Sequence, residues 1–95
     1  MESICNLKGR TVTIWASLWS VVMCYPDGTL HQHNFALSHR AAAVLGMDRA
    51  ELDARGFAKD FEGAARILYC GPAQDMPEEL RQDVVLHHHC LSLPP

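Results

Sequence analysis

The sequence has few of the features that identify the commonest functions. Its eight Lys and Arg residues are outnumbered by eleven Asp and Glu residues, which gives a net charge of −3. Proteins that bind nucleic acids usually carry a basic patch, because neutralising phosphates supplies much of their affinity. No apolar run reaches the roughly 20 residues needed to cross a bilayer. We therefore expect neither a nucleic-acid partner nor a membrane span.

Catalytic and cofactor-binding motifs are also missing. The sequence contains no G-x-S-x-G, no phosphate-binding loop, no G-x-G-x-x-G and no H-E-x-x-H. Its four cysteines form no C-x-x-C pair: they are Cys5, Cys24, Cys70 and Cys90. We predict a non-enzymatic protein without a cofactor, with reduced thiols and a cytoplasmic location. The alternative is a secretory signal, since Lys8 and Arg10 precede an apolar run over 12–25, but that run lacks an A-x-A-like exit.

The length and composition predict one small folded domain. The chain has 95 residues, of which 48% are hydrophobic, enough for a single core. We divide it into a leader (1–9), a β-hairpin (10–37), a helical segment (38–71), an acidic loop and helix (72–83), a C-terminal strand (84–91) and a frayed tail (92–95).

The predicted hairpin turns at the sequence Pro-Asp-Gly over 26–28. The preceding residues are rich in β-branched and aromatic side chains, which favour a strand. A three-residue loop places Trp19 opposite Phe35. One face of the ribbon then carries Trp19, Val21, Met23, Tyr25 and Phe35. Because an isolated hairpin is marginal in water, we expect helices to cover this face.

Three short helices are predicted after the hairpin, each opened by a capping residue and closed by a glycine. They are 39–45 between Ser38 and Gly46, 49–55 between Asp48 and Gly56, and 61–70 between Asp60 and Gly71. The apolar stripe that faces the sheet is expected to contain Phe61, Ala64, Ala65 and Leu68, joined by Ala42, Leu45 and Leu52.

A fourth helix and a last strand complete the expected architecture. Asp75 and Glu78 have the spacing of a capping box, which predicts a helix ending near Gln82 or Asp83. Residues 84–91 are then expected to form a strand that pairs with the hairpin. The fold class is α+β: a small antiparallel sheet, made of the hairpin and the C-terminal strand, covered on one face by three or four short helices.

Residues 38–57 resemble a helix-turn-helix. Ala42 occupies the packed position of the first helix, Gly46 the turn and Leu52 the underside of the second. The resemblance implies a DNA-binding regulator that places the helix 49–55 in the major groove. The basic residues available for this alternative are Arg40, Arg49, Arg55 and Lys59. Glu51 and Asp53 lie on the same helix and would repel phosphates.

A second alternative is a zinc-stabilised interaction module. Six histidines are many for this length, and three of them are consecutive before Cys90. Side chains alternate along a strand, so His87 and His89 share one face. His31 and His33 share a face of the hairpin and would supply further ligands if the C-terminal strand lies beside them. The candidate ligands are His31, His33, His87 and His89.

Binding to another protein is the function that we favour. Tryptophan and tyrosine are enriched at binding hot spots, and Trp15, Trp19 and Tyr25 share one face of a regular strand. The excess negative charge lies after Gly71, where four acids face one arginine and suit a partner with a basic surface. That second surface contains Asp75, Glu78, Glu79, Arg81 and Asp83.

The expected function is therefore a small inhibitor or regulatory accessory protein that acts through protein contacts. Small inhibitors carried by phages and other mobile elements, anti-CRISPR proteins among them, share this size and this lack of catalytic motifs. A homodimer that closes the aromatic face is the alternative to a separate partner. No whole-chain family resemblance is apparent.

Overall fold

The structure, a computed structural model, describes residues 15–81 and 83–93. They form a four-stranded sheet, two α-helices and two single 3-10 turns. The strands are β1 (Ser17–Cys24), β2 (Leu30–Leu37), β3 (Arg66–Pro72) and β4 (Val84–Leu91); the helices are α1 (His39–Leu45) and α2 (Arg49–Asp60). The predicted leader (1–9), the start of the predicted hairpin (10–14) and the last two residues lie outside the described residues.

The hairpin register is the one predicted from the turn. β1 and β2 are antiparallel, Trp19 lies opposite Phe35, and Met23 lies opposite His31. Tyr25 N–H donates to the Thr29 carbonyl at 2.9 Å, and Gly28 adopts a φ of +89°. The Asp27 carboxylate accepts from both the Thr29 backbone and the Thr29 hydroxyl, which stabilises the turn locally.

Helix α1 begins and ends where the sequence predicts. The Ser38 hydroxyl accepts from the Ala41 N–H, which satisfies one of the free donors of the first turn. Gly46 closes the helix with φ +102° and ψ 145°, a conformation that strongly favours glycine. Only Ala41 and Ala42 are buried in this helix, so Leu45 does not join the core as expected.

Helix α2 is longer than predicted because Gly56 does not end it. The helix continues to Asp60, since Gly56 lacks the positive φ of a terminating glycine. Ala50, Ala54, Phe57 and Phe61 recur at helical spacing and face the sheet. They cover a core that contains Val21, Met23, Phe35 and Leu37. Asp48 makes no side-chain cap, and Leu52 is exposed rather than packed.

The predicted third helix over 61–70 is wrong. Gly63 has a φ of +86° and breaks the chain direction, and β3 then pairs antiparallel with β1. Residues 66–72 form a strand despite the helical spacing of the apolar residues over 61–68, because the edge of β1 offers them backbone hydrogen bonds. Ile67, Leu68 and Tyr69 also suit a half-buried strand. Gly71 consequently lies within β3 rather than after a helix.

The predicted fourth helix is also wrong. Residues 73–80 contain two separate 3-10 turns, Ala73–Asp75 and Glu78–Leu80. Pro77 separates them: its ring restricts the residue before it to extended conformations, and Met76 has a ψ of 133°. Arg81 donates to the carbonyls of Ala73 and Met76, so the segment is held together by a side chain instead of a helical ladder.

The last strand is parallel to its neighbour, not antiparallel as expected. The strand order is β3-β1-β2-β4, so β4 lies beside β2 at the opposite edge from β3. Residues 73–83 carry the chain across three strand spacings, about 14 Å, and a connection that crosses a sheet in this way returns the next strand in the same direction. The fold is therefore a small α+β structure with a mixed four-stranded sheet and two helices.

Candidate functional site

Four of the six histidines meet on the face of the sheet that carries the helices. The alternation of side chains places His31 and His33 on the same face of β2, and His87 and His89 on the same face of β4. The parallel register sets His33 opposite His87 and Phe35 opposite His89. The sequence predicted this meeting on condition that β4 pairs with β2, and the structure meets that condition. We call these four side chains the histidine cluster.

The histidine cluster contains two hydrogen-bonded pairs. His31 Nδ1 lies 2.9 Å from His87 Nε2, and His33 Nδ1 lies 3.0 Å from His89 Nε2. Each pair joins β2 to β4 through side chains 56 residues apart in sequence. Since a neutral imidazole has one N–H and one lone pair, each pair is satisfied by a single shared hydrogen.

Stacked rings connect the two pairs to each other and to aromatic side chains. The ring of His33 stacks on that of His87 with centroids 4.2 Å apart. Tyr25 stacks on His31 at 3.7 Å, and Phe35 stacks on His89 at 4.5 Å. Stacking and hydrogen bonding thus alternate along one series of rings: Tyr25, His31, His87, His33, His89 and Phe35.

Helix α2 covers this series with two phenylalanines. Phe57 lies with its ring centroid 4.4 Å from that of His33 and 5.4 Å from that of His89. Phe61 lies 4.7 Å from Phe57 and 6.2 Å from Tyr25. The covering is incomplete: His33 is buried, His31 and His87 are half-buried, and His89 is exposed. The cluster therefore extends from the core to the surface.

A chain of hydrogen bonds from the turn determines which nitrogens carry hydrogen in the first pair. The Thr29 hydroxyl donates to Asp27 Oδ1 at 2.6 Å, so its oxygen accepts from His31 Nε2, which lies 2.8 Å away. A neutral His31 then has its lone pair on Nδ1 and accepts from His87 Nε2. In the second pair, the Tyr25 hydroxyl lies 3.2 Å from His33 Nε2.

The surroundings keep three of the histidines neutral. Burial, reinforced by the neighbouring His87, His89 and His31, lowers the pKa of His33 to about 4. Burial first, and neighbouring imidazoles second, also lower the pKa of His87 and of His89. In the turn, the hydrogen bond from the Thr29 side chain is the main cause that lowers the pKa of Asp27. At neutral pH the rings of His33, His87 and His89 therefore act as uncharged donors and acceptors.

The four imidazoles do not converge on a common point. Among residues 15–81 and 83–93, no group of three or more His, Cys, Asp or Glu side chains is arranged to hold a metal ion. The nitrogens face one another in twos, and each of these two contacts already uses the lone pair of one imidazole. Zinc requires four donors in a tetrahedron.

A small cavity adjoins the exposed end of the histidine cluster. It has a volume of about 210 Å³ and lies between α2 and β4. Its polar groups are His89 and Asp53, and its other lining residues are Phe35, Ala36, Leu37, Ala50, Cys90 and Leu91. The volume is below that of most small-molecule sites, and the Asp53 carboxylate is held by Arg49 at 3.0 Å.

The aromatic residues predicted to contact a partner are half-buried. Trp19 packs against the core, and the Arg55 guanidinium lies 5.2 Å above the centre of its ring. Tyr25 belongs to the ring series beside His31. Trp15 has a buried Nε1 without a hydrogen-bond partner among the described residues. The three residues remain predicted contacts.

The acidic residues predicted to contact a partner are at the surface. Asp75, Glu78, Glu79 and Asp83 are exposed. Arg81 is exposed too, but its guanidinium is bound to two backbone carbonyls. Asp83 has a φ of +53°, which orients the chain into β4. This segment therefore presents carboxylates to solvent, as predicted.

The basic residues of the helix-turn-helix alternative are largely engaged with acids of α2. Arg49 donates to both oxygens of Asp53, at 3.0 and 3.1 Å, and Arg55 donates to Glu51 at 2.8 Å. Arg40 and Lys59 are exposed. A DNA-binding surface made from these residues would carry the two carboxylates with it.

Sequence reasoning missed four exposed apolar side chains on α1, on α2 and in the turn between them. Val44 is 68% exposed, Met47 60% and Leu52 57%, and Leu45 is 38% exposed. We call these four residues the apolar patch. The short helix α1 could have indicated it, because Ala41 and Ala42 already fill the inward positions and direct Val44 to the outside.

The cysteines differ from the expectation of four reduced thiols. Cys24 and Cys70 are free, whereas Cys90 is disulfide-bonded. Burial raises the pKa of the Cys70 thiol, so this thiol is less reactive than an ordinary one.

Fold and site together define a small α+β protein with a mixed sheet and a histidine cluster between two parallel strands. Comparisons with protein families, with curated proteins and with solved structures find no match for this chain. No helix in the described part of the chain has both the length and the apolar character needed to cross a membrane.

Proposed function

We propose that this chain is a non-enzymatic protein-binding module of the small inhibitor or regulatory accessory type. The observation that carries the proposal is the apolar patch. Val44, Met47 and Leu52 are each more than half exposed within nine residues of one helical hairpin. Soluble proteins rarely gather large apolar side chains at the surface in this way unless the surface binds something.

The charges around the apolar patch are balanced within the chain. Arg49 pairs with Asp53, and Arg55 pairs with Glu51, each along α2. Such exposed pairs contribute little stability, but the two charges cancel within each pair. A partner that covers the patch would therefore gain mainly from burial of apolar surface, at about 25 cal/mol per Å².

The acidic segment supports a partner with a basic surface. Asp75, Glu78 and Glu79 are exposed, and the only neighbouring cation described, Arg81, is bound to carbonyls. Opposite charges across an interface mainly accelerate association, while apolar contacts slow dissociation. We propose that the acidic segment accelerates association with the partner and that the apolar patch slows dissociation.

A matched pair of substitutions tests the proposal. Leu52 on α2 and Leu86 on β4 are 57% and 55% exposed, so Leu52→Glu and Leu86→Glu make the same change at equally exposed positions. Partners captured from a lysate of the source organism by the unaltered chain are identified and purified, and their affinities are measured by titration calorimetry. We expect Leu52→Glu to weaken binding at least tenfold and Leu86→Glu to leave it unchanged.

Two results would overturn the proposal. One is equal binding by the unaltered chain and both variants. The other is failure of the unaltered chain to retain any protein that the Leu52→Glu variant does not. The acidic segment is tested separately with Glu78→Lys combined with Glu79→Lys, which should slow association with the same partner and weaken its dependence on salt.

A second copy of this chain is the alternative occupant of the apolar patch. Light scattering during size-exclusion chromatography distinguishes it: the unaltered chain would elute as a dimer and Leu52→Glu as a monomer. The predicted cytoplasmic location is supported by the free thiols of Cys24 and Cys70, whereas the disulfide-bonded Cys90 favours an oxidising compartment. Thiol labelling of the protein taken directly from cells decides between the two.

A further inference from the structure

We infer that the histidine cluster is an acid-sensitive contact that holds β4 against β2 and releases it when the imidazoles take up protons. This inference does not depend on the proposed binding function. It rests on three features of residues 15–81 and 83–93: the position of β4 at the edge of the described sheet, the limited number of protons that the two pairs accept, and the lack of a carboxylate within these residues that is hydrogen-bonded or ion-paired to them.

β4 is held to the sheet through β2 and, near its C-terminal end, through the disulfide of Cys90. Among the described strands it is hydrogen-bonded to β2 alone, whereas β1 lies between β3 and β2. Helix α2 packs over β1, β2 and β3. The inward side chains of β4 meet the rest of the protein through the histidine contacts and through Leu91. The histidine contacts are the pairs His31–His87 and His33–His89 and the contacts of His89 with Phe35 and Phe57, and Leu91 packs against the hydrophobic core. Weakening the pairs therefore weakens one strand more than the rest.

Each hydrogen-bonded pair can hold one additional proton but not two. With one added proton, the pair still has a lone pair to accept the N–H between the rings. With two, both rings carry N–H groups that face each other at about 3 Å, and the hydrogen bond is lost. The stacking of His33 on His87 at 4.2 Å also brings charges in different pairs close together.

No described carboxylate is hydrogen-bonded or ion-paired to the histidine cluster. The turn presents Asp27, which is separated from His31 by the Thr29 hydroxyl. Helix α2 presents Phe57 and Phe61, and its nearby Asp53 is paired with Arg49. Tyr25, the residue that follows β1, presents its hydroxyl to His33. On the other face of β4, His88 faces the Asn34 amide. Among the described residues, positive charge on the cluster would therefore have no ion-pair partner, and the one carboxylate that interacts with it, Asp27, acts on His31 from beyond the Thr29 hydroxyl.

The lowered pKa values of the histidines agree with opening of β4 in acid. His33, with a pKa of about 4 in the folded protein against about 6.5 in water, takes up its proton far more readily once β4 has left. By linkage, a group whose pKa is lower in the closed state than in the open state makes opening more favourable as the pH falls. Contributions from His87 and His89 act in the same direction, because burial lowers their pKa values too.

Amide hydrogen exchange, followed by mass spectrometry in the presence of EDTA, tests the inference. Rates at pH 7.5 and pH 5 are corrected for the intrinsic pH dependence of exchange. We expect protection of peptides covering Val84–Leu91 to fall at least tenfold at pH 5, while peptides from β1 and β3 retain theirs. Unchanged protection in β4, or an equal loss throughout the sheet, would overturn the inference.

Substitutions separate the histidine cluster from general effects of acid. His33→Gln keeps a donor and an acceptor but cannot take up a proton, so it should remove most of the pH dependence of β4 protection. His33 is buried, so its replacement could disturb folding. His87→Gln is therefore a second variant, at a half-buried position, and should have the same effect. His39→Gln is the control: His39 is exposed on α1, away from the cluster, and its loss should change nothing. If His39→Gln removes as much pH dependence as the cluster variants, the inference is wrong.

Discussion

The Ser20 hydroxyl donates a hydrogen bond to Asn34 Oδ1 across β1 and β2, over 2.6 Å, and both side chains are buried. Gln32 Nε2 donates to the same oxygen at 2.8 Å, and Asn34 Nδ2 lies 3.4 Å from His88 Nδ1. This polar contact occupies the face opposite the histidine cluster. It joins the three strands β1, β2 and β4 through side chains, in addition to their backbone ladders.

Replacing Asn34 should destabilise the protein more than replacing Ser20. Asn34→Ala leaves the buried Ser20 hydroxyl without its acceptor, and an unsatisfied buried polar group costs about 1–3 kcal/mol. Ser20→Ala leaves Asn34 with two remaining contacts and should cost about 1 kcal/mol. Urea denaturation of both single variants and the double variant measures the coupling between them, which we expect to exceed 0.5 kcal/mol, on the order typical of contacting residues. Strict additivity would contradict the assignment of this hydrogen bond.

The two glycines of the helical hairpin should respond to alanine in opposite directions. Gly46→Ala forces a side chain into a φ of +102° and brings its Cβ 3.1 Å from Asp48 Oδ1. We expect a loss of about 1–3 kcal/mol in the free energy of unfolding. Gly56→Ala meets no atom within 4 Å inside α2 and should gain about 0.4–1 kcal/mol by restricting the unfolded chain. Thermal unfolding of the two variants checks both signs, and a loss on Gly56→Ala would contradict the helical geometry at that position.

Ser38 should contribute to stability through its cap on α1. Its hydroxyl accepts from the Ala41 N–H at 3.0 Å, and Ser38→Ala removes this acceptor at a cost of about 1 kcal/mol. The Ser38 N–H donates to the Leu91 carbonyl at 3.1 Å, a backbone contact that the substitution keeps. Ser17→Ala, in a half-buried strand position, is the comparison and should have a smaller effect on chemical denaturation. A cost for Ser38→Ala no greater than that for Ser17→Ala would contradict the cap.

Acid should reduce global stability over the range set by His33. The folded pKa of about 4 lies below the unfolded value near 6.5, so the unfolded chain binds more protons between these pH values. His33 therefore leaves stability complete above pH 6.5 and reduces it by up to about 1.4 kcal/mol per pH unit as the pH falls toward 4. Urea midpoints for the unaltered chain and His33→Gln, measured from pH 7.5 to 4, should diverge in this range. Parallel curves would show that His33 does not carry the effect.

The sequence predicted those elements whose signals are local. The Pro-Asp-Gly turn determined the pairing of Trp19 with Phe35, since a three-residue loop leaves one register. The Ser38 cap and Gly46 likewise fixed the ends of α1, because each acts on backbone groups within four residues. The alternation of side chains also placed His31 with His33 and His87 with His89. The two histidines that each strand contributes to the candidate site could thus be predicted.

The tertiary structure decided what depends on competition between distant segments. Residues 66–72 became a strand because β1 offered an open edge, which helical spacing at Phe61, Ala64 and Ala65 could not reveal. The chain between β3 and β4 crossed the sheet, so β4 ran parallel to β2 and His87 met His33. Val44 and Leu52 are exposed because each helix buries only two residues: Ala41 and Ala42 in α1, and Ala50 and Ala54 in α2. Local hydrogen bonds are encoded in neighbouring residues, whereas strand order and exposure depend on which surfaces compete for the same edge or face.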